Sequence, residues 1–390
     1  MTQQSWRPFI LVSLALCIGT IGTALASPLY PIYQQLWHLL PSHITYIFVA
    51  YMFGCMTTLL FLGRSSNSIG FIRTLQIGLF VAVIGLIFSV FATNTYILGV
   101  GRFIIGIASG LISTSAMLGL IYTIPDSHKQ HAAQLSSIIT VLGFGFGPLI
   151  GGSIAQFSDS PLVTPYLPVI FGAVLSLISL FKIKVAHFEK QKFSMAPHLE
   201  LPELQYKKLF YIASFTAFCA FGSFSLFASL APSFIQDVIP WHGPIVSGFT
   251  IASILMVSAF IQFIAKSMPM HKTLNTGLFM LILSYVILSI CMLMHWSWLF
   301  FISVILVGIG HGLSLLGAFA LVHHMTKVEN RAAVVSTYLF LAYLGTIAPI
   351  IAVGYLSDHF GLMVGVLSFC LGMGLLCIYL LLSHLKLKTL

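Results

Sequence analysis

The sequence predicts an all-α membrane protein with 12 transmembrane helices in two pseudo-symmetric bundles of six. Composition is the first observation, since 58% of the 390 residues are hydrophobic, 6% are charged and the mean hydropathy is +1.04. A chain this apolar belongs in a bilayer and not in a soluble fold. The regular spacing of apolar windows is the second observation, and a single long polar stretch near the middle is the third.

Each apolar window is near the length of about 20 residues that crosses a bilayer as a helix. We predict the first six spans near residues 8–33, 43–62, 72–93, 96–122, 132–156 and 165–183. Six more follow near residues 208–236, 244–265, 273–293, 297–323, 332–357 and 362–384. The polar stretch predicts an N-terminal bundle at 1–183, a cytoplasmic linker at 184–207 and a C-terminal bundle at 208–390.

The basic residues predict the orientation of the chain. Sixteen of the 17 lysines and arginines lie in the tails or in loops on one side of the predicted membrane, and Arg102 is the exception. Because such residues mark the cytoplasmic side, we expect a multi-pass inner-membrane (plasma-membrane) protein with both termini in the cytoplasm. Topology thus accounts for the net charge of +9, and nucleic acid is not an expected partner. A cleaved signal peptide is disfavoured because its loss would remove the first span.

The two halves repeat each other at matching points. Ser-Pro-Leu-Tyr at 27–30 ends the first span as Ala-Pro-Ser-Phe at 231–234 ends the seventh. In the fifth and eleventh spans, Gly-Pro-Leu-Ile-Gly at 147–151 corresponds to Ala-Pro-Ile-Ile-Ala at 348–352. A duplicated six-span unit with a substrate site near the midplane is typical of transporters.

The fifth span is unusually rich in glycine, and its Gly143, Gly147 and Gly151 recur every four residues. Small residues at this spacing predict a groove in which a neighbouring helix packs closely. Pro148 predicts a bend beside the groove, and Gly152 extends it. The corresponding residues of the eleventh span are larger, so we expect looser packing there.

Arg102 is the charged residue that we place inside the membrane, in the fourth span, about 9 Å from its outer end. A charge at this depth is costly, which favours a cation that faces a cavity and binds a polar or anionic substrate group or supports a gate. The alternative is a side chain that reaches the outer interface. Gly106 and Gly110 continue the same helix face and predict a second packing groove.

These features together resemble the major facilitator superfamily, and specifically its drug and metabolite antiporter branch. Residues 101–106 are similar to a buried-arginine motif of that superfamily, and residues 143–152 are similar to the antiporter motif of the branch. Gln134 stands where the first glycine of the antiporter motif usually lies. The resemblance covers the whole chain in topology and implies a transporter with proton-coupled antiport.

The loop at 63–70 has the frame of the superfamily's cytoplasmic gate loop, whose matching positions are Gly63, Asn67, Gly70 and the nearby Arg73. Asn67 replaces the expected aspartate, and Ser68 replaces the expected arginine. An aspartate would make charge-assisted hydrogen bonds, whereas Asn67 makes only neutral ones. We therefore expect a weaker inner gate than in relatives that have the aspartate.

The sequence offers few groups that could couple transport to protons. All eight acidic residues lie in predicted loops or at span ends, which disfavours a carboxylate relay. His311, in the tenth span, is the best remaining titratable group. Its alternative role is that of a neutral histidine hydrogen-bonded between helices.

Other polar or aromatic residues near the expected cavity are weaker candidates for substrate contact, because each one alone more often packs. Those that we single out are Tyr51, Ser113, Tyr338 and Tyr343. Tyr30, near the outer end of the first span, fits an anchor at the membrane interface. No nucleophile arrangement, phosphate loop or metal-ligand cluster stands out, so the sequence predicts neither an enzyme nor a cofactor.

We therefore predict a secondary transporter that works by alternating access and exports a small amphipathic compound or metabolite. One alternative is an importer or uniporter of a small metabolite or siderophore-like compound. Another is a membrane receptor or scaffold that transports nothing. Expected partners are the substrate, membrane lipid and, through the resemblance, protons; we expect a monomer.

Overall fold

The computed structural model describes residues 6–183, 196–197, 199–241, 243–327 and 330–388. Within these ranges the ordered elements are helices, and no strand occurs. Eleven of the described helical segments are long and apolar enough to cross a membrane. The predicted all-helical membrane fold is therefore confirmed.

The helices follow the predicted order of spans. In the first half they are α1 (Arg7–Ala24), α2 (Tyr30–Leu36), α3 (Pro41–Thr57), α4 (Ser65–Ile69), α5 (Phe71–Val90), α6 (Thr95–Thr123), α7 (Ala132–Phe157) and α8 (Tyr166–Leu180). In the second half they are α9 (Lys207–Ser229), α10 (Ala231–Val238), α11 (Pro244–Ile264), α12 (Met270–Met294), α13 (Ser297–His324), α14 (Arg331–Phe360) and α15 (Leu362–Lys388).

The sixth predicted span differs from the other eleven. We expected it at 165–183, but α8 has 15 residues and ends at Leu180. A helix of that length rises about 22 Å, less than the roughly 30 Å of a hydrocarbon core. Phe181 and Lys182 form a turn, so apolar content continues past the point where the helix stops.

The repeated proline motifs break the chain at equivalent places in the two halves. A 3₁₀ turn at Ser27–Leu29 separates α1 from α2, and Pro28 lies in its first positions. In the second half, Leu230 ends α9 and Pro232 lies in the first turn of α10. Proline is favoured in a first turn because it lacks the N–H that would be unpaired there. Each of these long apolar spans is thus two helices.

The chain forms two compact units. The first contains Met1–Ile32 and Ala50–Pro197, and the second contains Tyr33–Val49 and His198–Leu390. Residues 184–195 and 198 of the predicted linker lie outside the described residues. We predicted residues 33–49 as part of the N-terminal bundle at 1–183. In the structure they pack with the second unit.

The first unit has an apolar core between α1, α5, α6 and α8, built around buried side chains such as Leu16, Leu79 and Ile112. α5 and α6 approach closely, because a Cβ atom at Gly85 would lie 2.9 Å from Gly101 O. This contact holds the first turns of α6 in place, directly before Arg102.

The second unit includes the first turns of α3. The Ser42 N–H donates to Asp358 Oδ1 at 2.9 Å, and the Ser233 hydroxyl donates to Gln34 Oε1 at 2.8 Å. Gly354 allows α14 to touch the side chain of Thr45. The Asp358 carboxylate therefore satisfies an N–H group in the first turn of α3, where the helix dipole favours negative charge.

Candidate functional site

Arg102 is buried in the first unit, with 1% of its surface exposed. Its Nη1 donates to the backbone carbonyl of Thr23 on α1 at 2.8 Å. The guanidinium carbon lies 4.8 Å from the centre of the Tyr51 ring on α3, within the range of a cation–π interaction. The side chain thus joins α6 to two other helices and does not reach out to the interface.

Two tyrosines and a serine complete a polar cluster around Arg102. The Tyr51 and Ser109 hydroxyl oxygens lie 3.2 Å apart. Tyr30 is fully buried, which corrects its assignment as an interface anchor. Its hydroxyl interacts with the Arg102 guanidinium and has no other hydrogen-bond partner among the described residues. Arg102 Nε is also buried without a partner in that part of the chain.

The predicted glycine face of α6 packs against α3 beside this cluster. A Cβ atom at Gly106 would collide with the Tyr51 carbonyl oxygen and lie 2.9 Å from the Gly54 Cα. Gly110 contacts the side chain of Thr58 in the same way. These contacts fix the height of Tyr51 relative to Arg102. Ser113, further along α6, is half-buried.

The glycine groove of α7 receives α1. A Cβ atom at Gly147 would lie 2.7 Å from Ile21 O, and one at Gly143 would collide with the Thr20 hydroxyl. A Cβ atom at Gly151 would collide with the Leu25 carbonyl oxygen. The turn of α1 that supplies the Thr23 carbonyl is therefore held by Arg102 on α6 and by the groove on α7. Pro148 lies inside α7, and Gly152 is buried.

His311 lies in the second unit and is bound to α11. Its Nδ1 is 2.8 Å from the Ser258 hydroxyl oxygen, which also accepts a hydrogen bond from Gln262 Nε2 at 3.2 Å. When the serine hydroxyl donates onwards to Nδ1, the proton of the neutral ring sits on Nε2. The arrangement is the interhelical hydrogen bond that the sequence left as one alternative.

Aromatic rings connect His311 to another candidate. The Phe221 ring stacks on His311 with centroids 6.2 Å apart, and it meets Tyr343 edge-on at 5.5 Å. His311 and Tyr343 therefore belong to one aromatic cluster. Tyr338 is buried elsewhere, with its ring 6.3 Å from that of Phe319.

The gate loop forms the short helix α4. The Asn67 N–H donates to Arg64 O at 3.0 Å, and Gly63 precedes the helix after a π-helical turn at Thr58–Leu62. Gly70 ends it with a φ of +94°, a conformation that favours glycine. Arg73 is exposed at the start of α5. The loop thus has a defined backbone conformation, and residues 63–70 include no acidic side chain.

Sequence reasoning missed several residues that the structure brings to these sites. Ser109 follows Arg102 by seven residues and so lies on the same helix face, a signal that could have found it. Ser258 and Gln262 lie four residues apart on α11, which is the equivalent signal for the His311 cluster. The carbonyl of Thr23 gives no sequence signal, because every residue has a backbone carbonyl.

The carboxylates that the structure describes lie in loops or near helix ends. Lys129 and Asp126 form an exposed ion pair at 2.6 Å, and Lys327 and Glu203 form another at 2.5 Å. Lys327 lowers the pKa of Glu203 by a hydrogen bond and by its charge. No group of three metal-ligating side chains occurs in the described ranges.

A family model described as Major Facilitator Superfamily matches residues 12–349. The chain belongs to the major facilitator superfamily. This membership confirms the resemblance to the superfamily and makes the protein a membrane transporter and not an enzyme. The antiporter branch stays a prediction. The superfamily's solved structures agree. The chain aligns over 98% of its length with 96% of a bacterial homologue of the human lysosomal transporter Spinster, at a TM-score of 0.74 and 13% identity. It aligns over 96% of its length with 99% of the human organic anion transporter TETRAN, at a TM-score of 0.68 and 15% identity.

Curated relatives of this superfamily member are also transporters. It is 21% identical to the riboflavin transporter RibZ of Clostridioides difficile, over 41% of the chain and 35% of the relative. It is 25% identical to the synaptic vesicular amine transporter of Rattus norvegicus, over 48% of the chain and 38% of the relative. It is 24% identical to multidrug resistance protein 2 of Bacillus subtilis, over 49% of the chain and 47% of the relative. The matched region spans less than half the length of each of these relatives.

Proposed function

We propose that the protein exports a small amphipathic organic compound by alternating access, in exchange for protons. The observation that carries this proposal is the buried cluster of Arg102, Tyr30 and Tyr51 in a superfamily member. One cation among aromatic rings and hydroxyl groups suits a compound with an apolar body and a hydrogen-bond acceptor. Similarity to riboflavin, amine and multidrug transporters supports this class of substrate.

The buried donors of the cluster define the substrate group. Arg102 Nε and the Tyr30 hydroxyl are buried and make no hydrogen bond among the described residues beyond the interaction between these two side chains. Leaving a buried donor unsatisfied costs about 1–3 kcal/mol. A carbonyl or carboxylate oxygen of the substrate would satisfy them and recover that energy. Arg102 therefore serves as the substrate-binding cation, and the Tyr51 ring keeps it in place.

Coupling to protons depends on His311 in this proposal, since the described carboxylates lie outside the span interiors. A buried imidazole that gains a proton needs a change in its surroundings, and alternating access supplies one by exposing the site to each side in turn. The Ser258 hydroxyl can stabilise either form because it accepts or donates.

The test is transport by the purified full chain in proteoliposomes, with riboflavin and an organic amine as probes. We expect counterflow of a probe without any gradient, and accumulation against its gradient when a pH gradient is imposed. Accumulation that ignores the pH gradient would contradict antiport and favour the importer or uniporter. The lack of described carboxylates within the spans is the observation that favours this second candidate.

Orientation and location belong to the same proposal. We propose that the protein is a monomer in a bacterial inner membrane with both termini cytoplasmic, as the distribution of lysine and arginine predicts. Single cysteines introduced into loops and labelled from either side would test the orientation. Substrate-dependent changes in labelling would also separate a transporter from a receptor or scaffold, whose accessibility should not change.

A further inference from the structure

A cavity of about 240 Å³ opens at one end of the second unit, apart from the clusters around Arg102 and His311. It lies where α9 and α12 begin and where α15 ends. Its lining residues are Gln205, Tyr206, Lys208, Leu209, His271, His384 and Leu387. Basic, aromatic and aliphatic side chains thus share one small space at the ends of three helices that are long and apolar enough to cross a membrane.

A chain of hydrogen bonds fixes the two histidines of the lining. His384 Nδ1 lies 2.6 Å from Asn275 Oδ1, and His384 Nε2 lies 2.9 Å from His271 Nδ1. The amide oxygen only accepts, so His384 Nδ1 carries a proton. In the neutral pair, His384 Nε2 then accepts from the His271 Nδ1–H. Protonation of the pair at His271 Nε2 keeps these two hydrogen bonds intact.

The charge of this cavity is positive. Lys208 is exposed at its mouth, and no described acidic residue lines it. The nearby carboxylate of Glu203 accepts a hydrogen bond from the lining Gln205 at 3.0 Å and is neutralised by an ion pair with Lys327. Lys207, Lys272 and Lys386 follow or precede lining residues directly or by two positions, on all three helices that meet here. The other titratable side chain of the lining is Tyr206. A lysine and a histidine pair that can gain a proton are suitable partners for a phosphate group.

We propose that this cavity binds the phosphate headgroup of an anionic phospholipid. Lys208 contacts the phosphate, the histidine pair adds donors, and Leu209 and Leu387 lie against the first carbons of the acyl chains. A basic pocket between transmembrane helices is the kind of site that holds such headgroups. The lysine-rich ends of these helices place the cavity at the level where headgroups lie, which favours lipid over free phosphate.

The test uses the full chain in detergent and a thermal-unfolding assay. Short-chain phosphatidylglycerol is titrated against the wild type, K208Q and H271Q, with phosphatidylcholine and inorganic phosphate as separate arms. K266Q is the matched control, since Lys266 is an exposed lysine that does not line the cavity. We expect phosphatidylglycerol to stabilise the wild type and K266Q equally. K208Q should weaken its apparent affinity about five-fold, as expected for one lysine near an anionic lipid.

The histidine pair adds a pH arm. Phosphatidylglycerol should bind the wild type more tightly at about pH 6 than at about pH 8, and H271Q should lose this difference. K208Q lies at an exposed position, so its folding is not at risk, and it keeps the test valid if H271Q is unstable. Equal affinity of K208Q and wild type, or equal weakening by K266Q, would overturn the site. Stabilisation by inorganic phosphate at the same concentration would show that free phosphate is the ligand and would overturn the lipid.

Discussion

At the scale of single residues, Arg102 is the side chain whose surroundings say most about its role. Three kinds of interaction meet there: the hydrogen bond to the Thr23 carbonyl, the Tyr51 ring and the nearby Tyr30 hydroxyl. A guanidinium can make the first two and still offer a further N–H to a substrate, because it carries several donors in one plane.

Replacing Arg102 by alanine should remove most or all transport while leaving the protein in the membrane. A hydrogen bond from a charged group is worth about 1.5–3 kcal/mol, so we expect a loss of roughly ten-fold or more. Arg102→Lys should fall in between, since it keeps the charge but lacks the planar donors. Probe counterflow at matched protein levels measures this. Wild-type flux in Arg102→Ala would refute a functional role.

His311→Gln should separate proton coupling from substrate movement. Glutamine can still bond to Ser258 but cannot take up a proton. We expect counterflow within about two-fold of wild type and no accumulation driven by a pH gradient. Ser258→Ala is the control, because it removes the partner and leaves the imidazole. If accumulation survives in His311→Gln, the histidine only joins α11 to α13.

The sequence identified Arg102 because a lone charge in an apolar span stands out. It named Tyr51 as a candidate but could not pair it with Arg102, since the contact depends on how α3 crosses α6 at Gly106. Ser258 was missed for a related reason: serine is common in membrane helices, and only the distance to His311 shows its use.

At the scale of helices, close crossings at glycine determine which residues meet. The groove of α7 was predicted from glycine spacing, and α1 lies in it. The second half has a close crossing of its own at Gly345, where a Cβ atom would lie 2.8 Å from the Phe218 Cα. This position is three residues before Ala348, the residue that the repeat matches to Gly147, and Ala348 is exposed.

The damage caused by a leucine substitution should therefore depend on whether the residue lies at a close helix crossing, and not on its position in the sequence repeat. Gly147→Leu and Gly345→Leu should each destabilise the protein, because overpacking typically costs about 1–3 kcal/mol. Ala348→Leu should be tolerated. Thermal unfolding in detergent and counterflow measure the two effects. Equal damage by Gly147→Leu and Ala348→Leu would mean that the groove is ordinary packing.

The gate loop gives a second test at this scale. Asn67→Asp restores the charge that the superfamily pattern has at this position, and charge-assisted hydrogen bonds are about twice as strong as neutral ones. We expect the inward-closed state to gain population. Spin-label distances across the cytoplasmic side measure this shift. Unchanged distance distributions would show that the asparagine does not weaken the gate.

At the scale of the whole molecule, hydropathy and charge predicted the class, the number of apolar segments and their order. They did not predict where helices end. α8 stops at Leu180 although the next residue, Phe181, is apolar. Hydropathy could not predict this end, because it reports a preference for lipid and not the backbone conformation. The motif at 27–30 was placed at the end of the first span, but the separate helix α2 that follows it was missed, since three turn residues hardly change the average over a long apolar window.

The placement of residues 33–49 has a consequence for how the protein can be divided. The second unit is not a continuous piece of chain, because the Ser42–Asp358 and Gln34–Ser233 hydrogen bonds tie it to residues encoded far upstream. A fragment of residues 198–390 should therefore accumulate poorly when expressed alone. Co-expression with residues 1–197 should rescue its level, as measured by immunoblot of membranes. Equal levels with and without the first fragment would contradict this.

A gene cut at its apparent midpoint would thus yield two interdependent halves, and natural exchange of either half between relatives would have to preserve these upstream contacts.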